Sequence, residues 1–186
     1  VKAVVFRVNS RGGNAIASDQ IWREVELTDK VKPVVVSMGN YAASGGYYIS
    51  AAARKIMASP VTITGSIGVF GLIPNAQGLL NKKLGITSDV VRTNAHSDAP
   101  SLTRPLNAFE KDAVQANVER TYSTFTEIVA KGRGMRQEAV DSIGQGHVWS
   151  GADAIEIGLV DQFGGLTDAI REAAALAGLE EYRTIE

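Results

Sequence analysis

The sequence predicts an α/β domain with a mainly parallel sheet, on two observations. Two consecutive segments share one plan of apolar strand, glycine-bearing turn and helix: Ala3 to Val8 leads through Gly12-Gly13 into one helix, and Val34 to Met38 leads through Ser44-Gly45-Gly46 into another. Repeated units of this kind stack as parallel strands whose turns gather at one edge of the sheet, so the two glycine turns are expected to be neighbours in space. The chain also has 186 residues, 45% hydrophobic and 21% charged. That is enough for one substantial core and short for two, and residues 1–186 are therefore expected as a single domain.

In order along the chain, the loop 9–14 follows the first strand, and Ala17, Ile21 and Val25 recur at helical spacing to predict the buried face of the first helix. After the helix that starts at Ser44, Lys55 to Ala58 reads as a short strand. Thr62 to Gly71 is too glycine-rich for a helix and too apolar for a solvated linker, so it is expected as strand and loop near the site. A short helix from Asn75 to Leu84, stopped by Gly85, and a strand from Thr87 to Val91 are expected next. The polar stretch from Thr93 to Pro105, with two prolines, reads as an irregular excursion. Asn107-Ala108-Phe109-Glu110 is a capping-box pattern that opens the longest helix, whose stripe of Val114, Val118, Tyr122, Phe125 and Val129 serves packing. Two further helices, from Ala152 to Ile157 and from about Asp168 to Ala177, close the chain.

Composition excludes several function classes. A net charge of -1 gives no reason to expect nucleic acid or an anionic membrane as partner. The absence of cysteine removes disulfides, thiolate metal sites and a cysteine nucleophile, and leaves the compartment open. There is no long uninterrupted apolar run, no phosphate-binding signature and no His/Glu metal spacing, so a soluble domain is expected. The chain opens inside a strand with no initiator methionine, which reads as a cut made in a longer polypeptide.

What remains is acyl-transfer chemistry. Ser44 sits where a buried strand turns into a helix, close to backbone N–H groups without intrahelical partners, with glycines that let a carbonyl approach the main chain. The plainer reading makes Ser44 an N-cap and the glycines a turn. A nucleophilic serine also needs an oxyanion hole, for which Gly45 and Gly12 or Gly13 supply N–H groups, and a base. Of the two histidines, His147 lies beside Trp149 and reads as packed, while His96, near Asp98, is the better base candidate of the two. Lys55, Lys82, Lys83 and Lys111 all lie in solvated contexts, and none is an obvious neutral base.

Four ordered blocks carry a resemblance. They are Arg7 to Gly13, Ser37 to Ile49, Thr64 to Val69, and Gly146 to Gly151 followed by Gly158 to Asp161. Together they resemble the signal peptide peptidase A, or protease IV, family over nearly the whole chain. The resemblance implies the ClpP/crotonase fold of stacked ββα units, a Ser/Lys dyad that cleaves remnant signal peptides, and no metal or organic cofactor. By residue, it implies Ser44 as nucleophile, Gly45 and Gly12 as oxyanion donors, and Ser66 as the serine that orients the lysine. Short family members carry the lysine in the stretch that corresponds to Ala95-His96-Ser97-Asp98, which has none here. Long members take it from their N-terminal half, so the chain resembles the C-terminal half of a long form. Arg11 stands where the family usually has proline.

The resemblance further implies a homo-oligomer, extended apolar peptides as substrates with a cleft near Val69 to Leu72, and a setting on the periplasmic side of a bacterial inner membrane. Two other readings remain. A catalytically silent relative that binds peptides or scaffolds an assembly is favoured by the missing lysine. An acyl-CoA enzyme of the crotonase type shares the oxyanion turns but needs no serine in them.

Overall fold

The computed structural model describes residues 1–185. They fall into two units, one of residues 1–68 with 122–185 and one of Val69–Thr121. In the first unit the β-branched run becomes β2 (Val34–Ala43), which pairs in parallel with β1 (Val4–Ser10), β3 (Lys55–Ala58) and β4 (Ile63–Gly65). β5 (Val148–Ser150) adds to β4 antiparallel, and β6 (Gln162–Phe163) adds to β3 in parallel. The described residues thus form a six-stranded, mainly parallel sheet, as expected.

The period-two alternation of β2 decides the core. Val34, Val36 and Met38 pack with Val25 of α1 (Ala15–Val31), Tyr47 to Ile49 of α2 (Gly45–Ser50) and Phe125 to Ala130 near the end of α4 (Ala108–Arg133). Val35 points the other way, onto Met57 and onto Ala169 and Ala173 of α7 (Leu166–Leu176). Helices on both faces explain why β2 reads as a continuous apolar run. The remaining helices of this unit are α5 (Gln137–Ile143) and α6 (Gly151–Glu156), the latter capped by Ser150, whose hydroxyl accepts from the Asp153 N–H at 3.1 Å.

The register between β1 and β2 is what aligns the two turns. From Val8↔Met38 to Ser10↔Ala42 β1 advances two residues while β2 advances four. The extra residues of β2 are absorbed around Asn9, whose side-chain oxygen accepts the Tyr41 N–H at 3.2 Å. A Cβ on Gly39 would lie 2.7 Å from that same oxygen, so the bulge needs glycine there. The shift brings Gly12 level with Ser44.

Two sequence expectations are corrected. The buried face of α1 is not Ala17, Ile21 and Val25, because Ala17 is exposed and Ile21 is 44% exposed. The helix is turned so that Ser18, Val25 and Glu26 are buried and Trp22 meets the Tyr48 ring edge-on at 6.3 Å. The helix must approach a glycine turn, and a serine fits there where a larger apolar residue would not. The strand expected from Thr87 to Val91 is absent. In the second unit those residues have no regular structure, and Val91 is almost fully exposed. A β-branched run without a neighbouring edge to pair with gains nothing from extending.

Elsewhere the second unit follows its sequence. The short helix is α3 (Gln77–Leu79), continued by a π turn over Leu80–Leu84 and ended by Gly85 at φ 67°. The capping box forms, with Asn107 Oδ1 accepting the Glu110 N–H and Glu110 accepting the Asn107 N–H, both at 2.9 Å.

Buried Glu26 gathers Lys131 at 2.6 Å, Lys30 at 3.6 Å and Arg23. The Lys131 hydrogen bond, opposed by burial and helped by Arg23 and Lys30, lowers its carboxyl to about 2 from an ordinary 4.5. A lowered folded-state value means that the contribution is fully present above pH 4.5 and drains as pH falls towards 2. All three cations are more than half exposed, so solvent screening keeps the cost of Glu26→Gln to about 1–2 kcal/mol. Urea denaturation should show that loss at pH 7 and a smaller one at pH 3.

Candidate active site

The backbone at Ser44 is unlike that of an N-cap. Its φ of 52° and ψ of -119° lie outside the extended region that caps occupy, and its hydroxyl makes no capping hydrogen bond. Asn14, by contrast, caps α1 conventionally from an extended backbone, accepting from the Ile16 and Ala17 N–H groups. Ser44 is therefore held in a conformation that costs on the order of 1–3 kcal/mol and does no capping in return.

The neighbours over-determine that conformation. The Ser44 N–H donates to the Gly65 carbonyl at 2.9 Å, and its own carbonyl accepts from Tyr47 and Tyr48 at 2.9 Å. α2 is pinned by the Tyr47 hydroxyl, which donates to the Leu159 carbonyl at 2.8 Å, and by the Tyr48 hydroxyl, which donates to Asp19 at 2.8 Å. Burial, and for Tyr48 also the Asp19 bond, pushes both phenols above their ordinary range, so they stay protonated and act as donors, not bases.

The two glycine turns meet, as the strand–turn–helix plan requires. A Cβ on Gly12, which has φ 110°, would lie 2.7 Å from Ser44 Cβ and 3.0 Å from the Gly45 nitrogen. A Cβ on Gly45 would lie 2.6 Å from Ser18 Oγ and 3.1 Å from the Gly13 nitrogen. The Gly45 and Gly13 N–H groups have no hydrogen-bond acceptor among the described residues, whereas the Gly12 N–H donates to Ser10 Oγ at 3.1 Å.

Ser66 follows β4 as Ser44 follows β2. Ala43 pairs with Gly65, so the two serines come next on adjacent strands, and Ser66 also has a positive φ, 49°. Its N–H donates to the His147 carbonyl at 2.7 Å, which places the three residues in a row across β2, β4 and β5. Neither serine hydroxyl has a hydrogen-bond partner among the described residues. His147 is exposed, with its ring centroid 4.2 Å from that of Trp149 and tilted by 51°, so the expectation of a packed histidine is corrected. Residue 147 is the last before β5 begins, at the rim of the sheet, where an aromatic neighbour does not imply burial.

The fold does not pair His96 with the nearby Asp98. His96 Nδ1 lies 3.0 Å from buried Glu110, while Asp98 is bound by Arg104 and Arg92. Arg104 holds the Asp98 carboxyl down at about 2, with Arg92 assisting, and it holds Glu110 lower still, helped by His96 and the Asn107 N–H. Among the lysines of the first unit, Lys2, Lys30 and Lys131 are exposed and Lys32 is half-buried just before β2 begins, at the end away from Ser44. Lys55 pairs with Glu172 at 2.7 Å and lies level with Val35, nine residues before Ser44, or roughly 30 Å along a strand. Lys82, Lys83 and Lys111 of the second unit are exposed.

Sequence reasoning passed over Ser10, Ser18 and Asn9. The available signal was a small polar residue on the inner side of a helix that must approach a glycine turn.

A strained serine, a second serine on the adjacent strand and two converging glycine turns thus meet at one edge of the sheet. The model of Peptidase family S49 matches residues 26–180. The chain belongs to this family. Within it, the chain is 46% identical to Protease 4 of Salmonella typhi, covering 98% of this chain and 29% of that protein. It is 43% identical to Protease 4 of Haemophilus influenzae, covering 100% of this chain and 30% of that protein. The S49 chain therefore spans about 30% of the length of these relatives. Among solved structures, a point mutant of ClpP1 from Listeria monocytogenes superposes with a TM-score of 0.59 at 17% identity, over 91% of this chain and 78% of that one. The S49 chain thus has the ClpP-like α/β fold.

Proposed function

We propose that this chain carries the nucleophile side of a serine endopeptidase site of the Ser/Lys type. The observation that carries the reading is the backbone of Ser44, which is strained, caps nothing and stands against the Gly12 turn. Ser44 Oγ attacks the peptide carbonyl. The developing oxyanion is received by the Gly45 N–H and by an N–H of the Gly12–Gly13 turn, with substrate oxygen displacing Ser10 Oγ where Gly12 is the donor. The proton of Ser44 passes to a lysine supplied from outside these residues, oriented by the Ser66 hydroxyl, and then to the leaving amine. Membership of family S49 supports the peptidase part of this reading.

Extended apolar peptides such as remnant signal peptides are the proposed substrates, a homo-oligomer the proposed assembly, and the periplasmic side of a bacterial inner membrane the proposed setting. No helix among the described residues is long and apolar enough to cross a membrane. In this reading membrane attachment belongs to the longer polypeptide. A fluorogenic peptide with an apolar residue before the scissile bond tests the proposal. The longer polypeptide should cleave it and the isolated chain should not. Serine-dependent cleavage by the isolated chain would place the base within these residues instead.

The reading of a silent relative draws on the lack of an engaged base. The strain held at Ser44 speaks against it, because a scaffold gains nothing from it.

A further inference from the structure

We infer that Arg11 is a specificity-determining residue that binds a carboxylate of the peptide substrate close to the scissile bond, an inference that rests on the peptidase reading above. Arg11 immediately precedes Gly12, and Gly12 stands level with Ser44. Its guanidinium carbon lies 4.5 Å from the ring centroid of Tyr41, three residues before Ser44 on β2. One face of the guanidinium is thus held by an aromatic ring, which keeps a long, otherwise mobile side chain in one place.

The rim of the guanidinium is unused. Arg11 is exposed and forms no ion pair or hydrogen bond with any described residue. The carboxylates of α1 that face other groups are already taken. Asp19 accepts from Tyr48, Glu26 is surrounded by three cations, and Asp29 accepts from the Val34 N–H and Arg54. A planar cation with free edge donors, mounted next to an oxyanion turn, matches a carboxylate in bidentate fashion. The reach of an arginine from this position places that carboxylate within about three residues of the scissile bond, at roughly 3.3 Å per extended residue. An acidic side chain and the C-terminal carboxylate of a short peptide offer the same chemistry.

The test uses the longer polypeptide and peptides with an apolar core, in which Glu or Gln is placed in turn at the three positions on either side of the cleaved bond. A further pair ends in a carboxylate or an amide. For each variant kcat/KM is expressed as the ratio of acidic to neutral peptide, so that each protein serves as its own folding control. In low salt one position should favour Glu about tenfold, as one charge-assisted hydrogen bond at a solvated site allows. Arg11→Gln should bring that ratio to about one, and Arg11→Lys should leave an intermediate value. A preference seen with side chains assigns an acidic residue, and one confined to the carboxylate and amide pair assigns the chain end.

Ratios near one at every position, or a preference that survives Arg11→Gln, would overturn the inference while leaving the peptidase reading intact. Failure to cleave any peptide in a Ser44-dependent manner would overturn the reading, and the inference with it.

Discussion

Replacing Ser44 with glycine should make the protein more stable and abolish its turnover. Ser44 is held at φ 52° without a capping bond, and its hydroxyl bonds to no described residue, so glycine loses no hydrogen bond and relieves the backbone. The expected gain is about 1 kcal/mol in urea denaturation, reduced by the extra freedom glycine has when unfolded. Ser44→Ala removes the same oxygen but keeps a Cβ at positive φ, so its stability should stay close to that of the parent. Both variants, made in the longer polypeptide, should lose activity by about 10⁴-fold or more, as expected for removal of a nucleophile. A destabilised glycine variant would mean that the serine has a structural role after all.

The second large effect is expected from Gly12→Ala. The added Cβ falls 2.7 Å from Ser44 Cβ and 3.1 Å from the Ala43 carbonyl oxygen, and φ is 110°, where an L side chain is strained whatever the space. The contacted atoms belong to a strand end pinned by backbone hydrogen bonds, so they cannot give way cheaply. A cost of about 2–4 kcal/mol is expected from overpacking and backbone strain together. The turn that presents the oxyanion donors would move with it, and a drop in kcat of about 10²-fold or more should accompany the lost stability. Gly13→Ala is the natural comparison, because a Cβ there meets nothing within 4 Å. It should fold as the parent does, which separates the effect of crowding Ser44 from that of merely stiffening the loop.

The contrast between these glycines shows what was legible in the chain. The strand–turn–helix plan and the apolar run at Val34 to Met38 identified the parallel sheet, and the plan alone brought Gly12 next to Ser44. The capping box at Asn107 and Glu110 was equally readable, since local hydrogen bonding depends only on residues three apart. The rotation of α1 was not readable, because its inner face is chosen by what it must approach. Ser18 is favoured over Ile21 by the proximity of Gly45, a contact between residues 27 apart. The strand expected at Thr87 to Val91 failed for the complementary reason. Propensity was present, but no partner edge is paired with it. Adjacency in sequence likewise says little about geometry: Asp98 is two residues from His96, yet the fold gives His96 Glu110, fourteen residues away. The positive φ of Ser44 and Ser66 leaves no local trace beyond the flanking glycines.

The central claim is that Ser44 is a nucleophile whose base comes from outside these residues. It is tested most directly by exposing the longer polypeptide and the isolated chain to a fluorophosphonate and mapping the adduct by mass spectrometry. The account predicts one adduct, on Ser44, formed rapidly in the longer polypeptide and far more slowly in the isolated chain, where Ser44 retains its strained backbone but lacks a proton acceptor. An adduct on another residue, or none at Ser44 in a polypeptide that cleaves peptides, would contradict it.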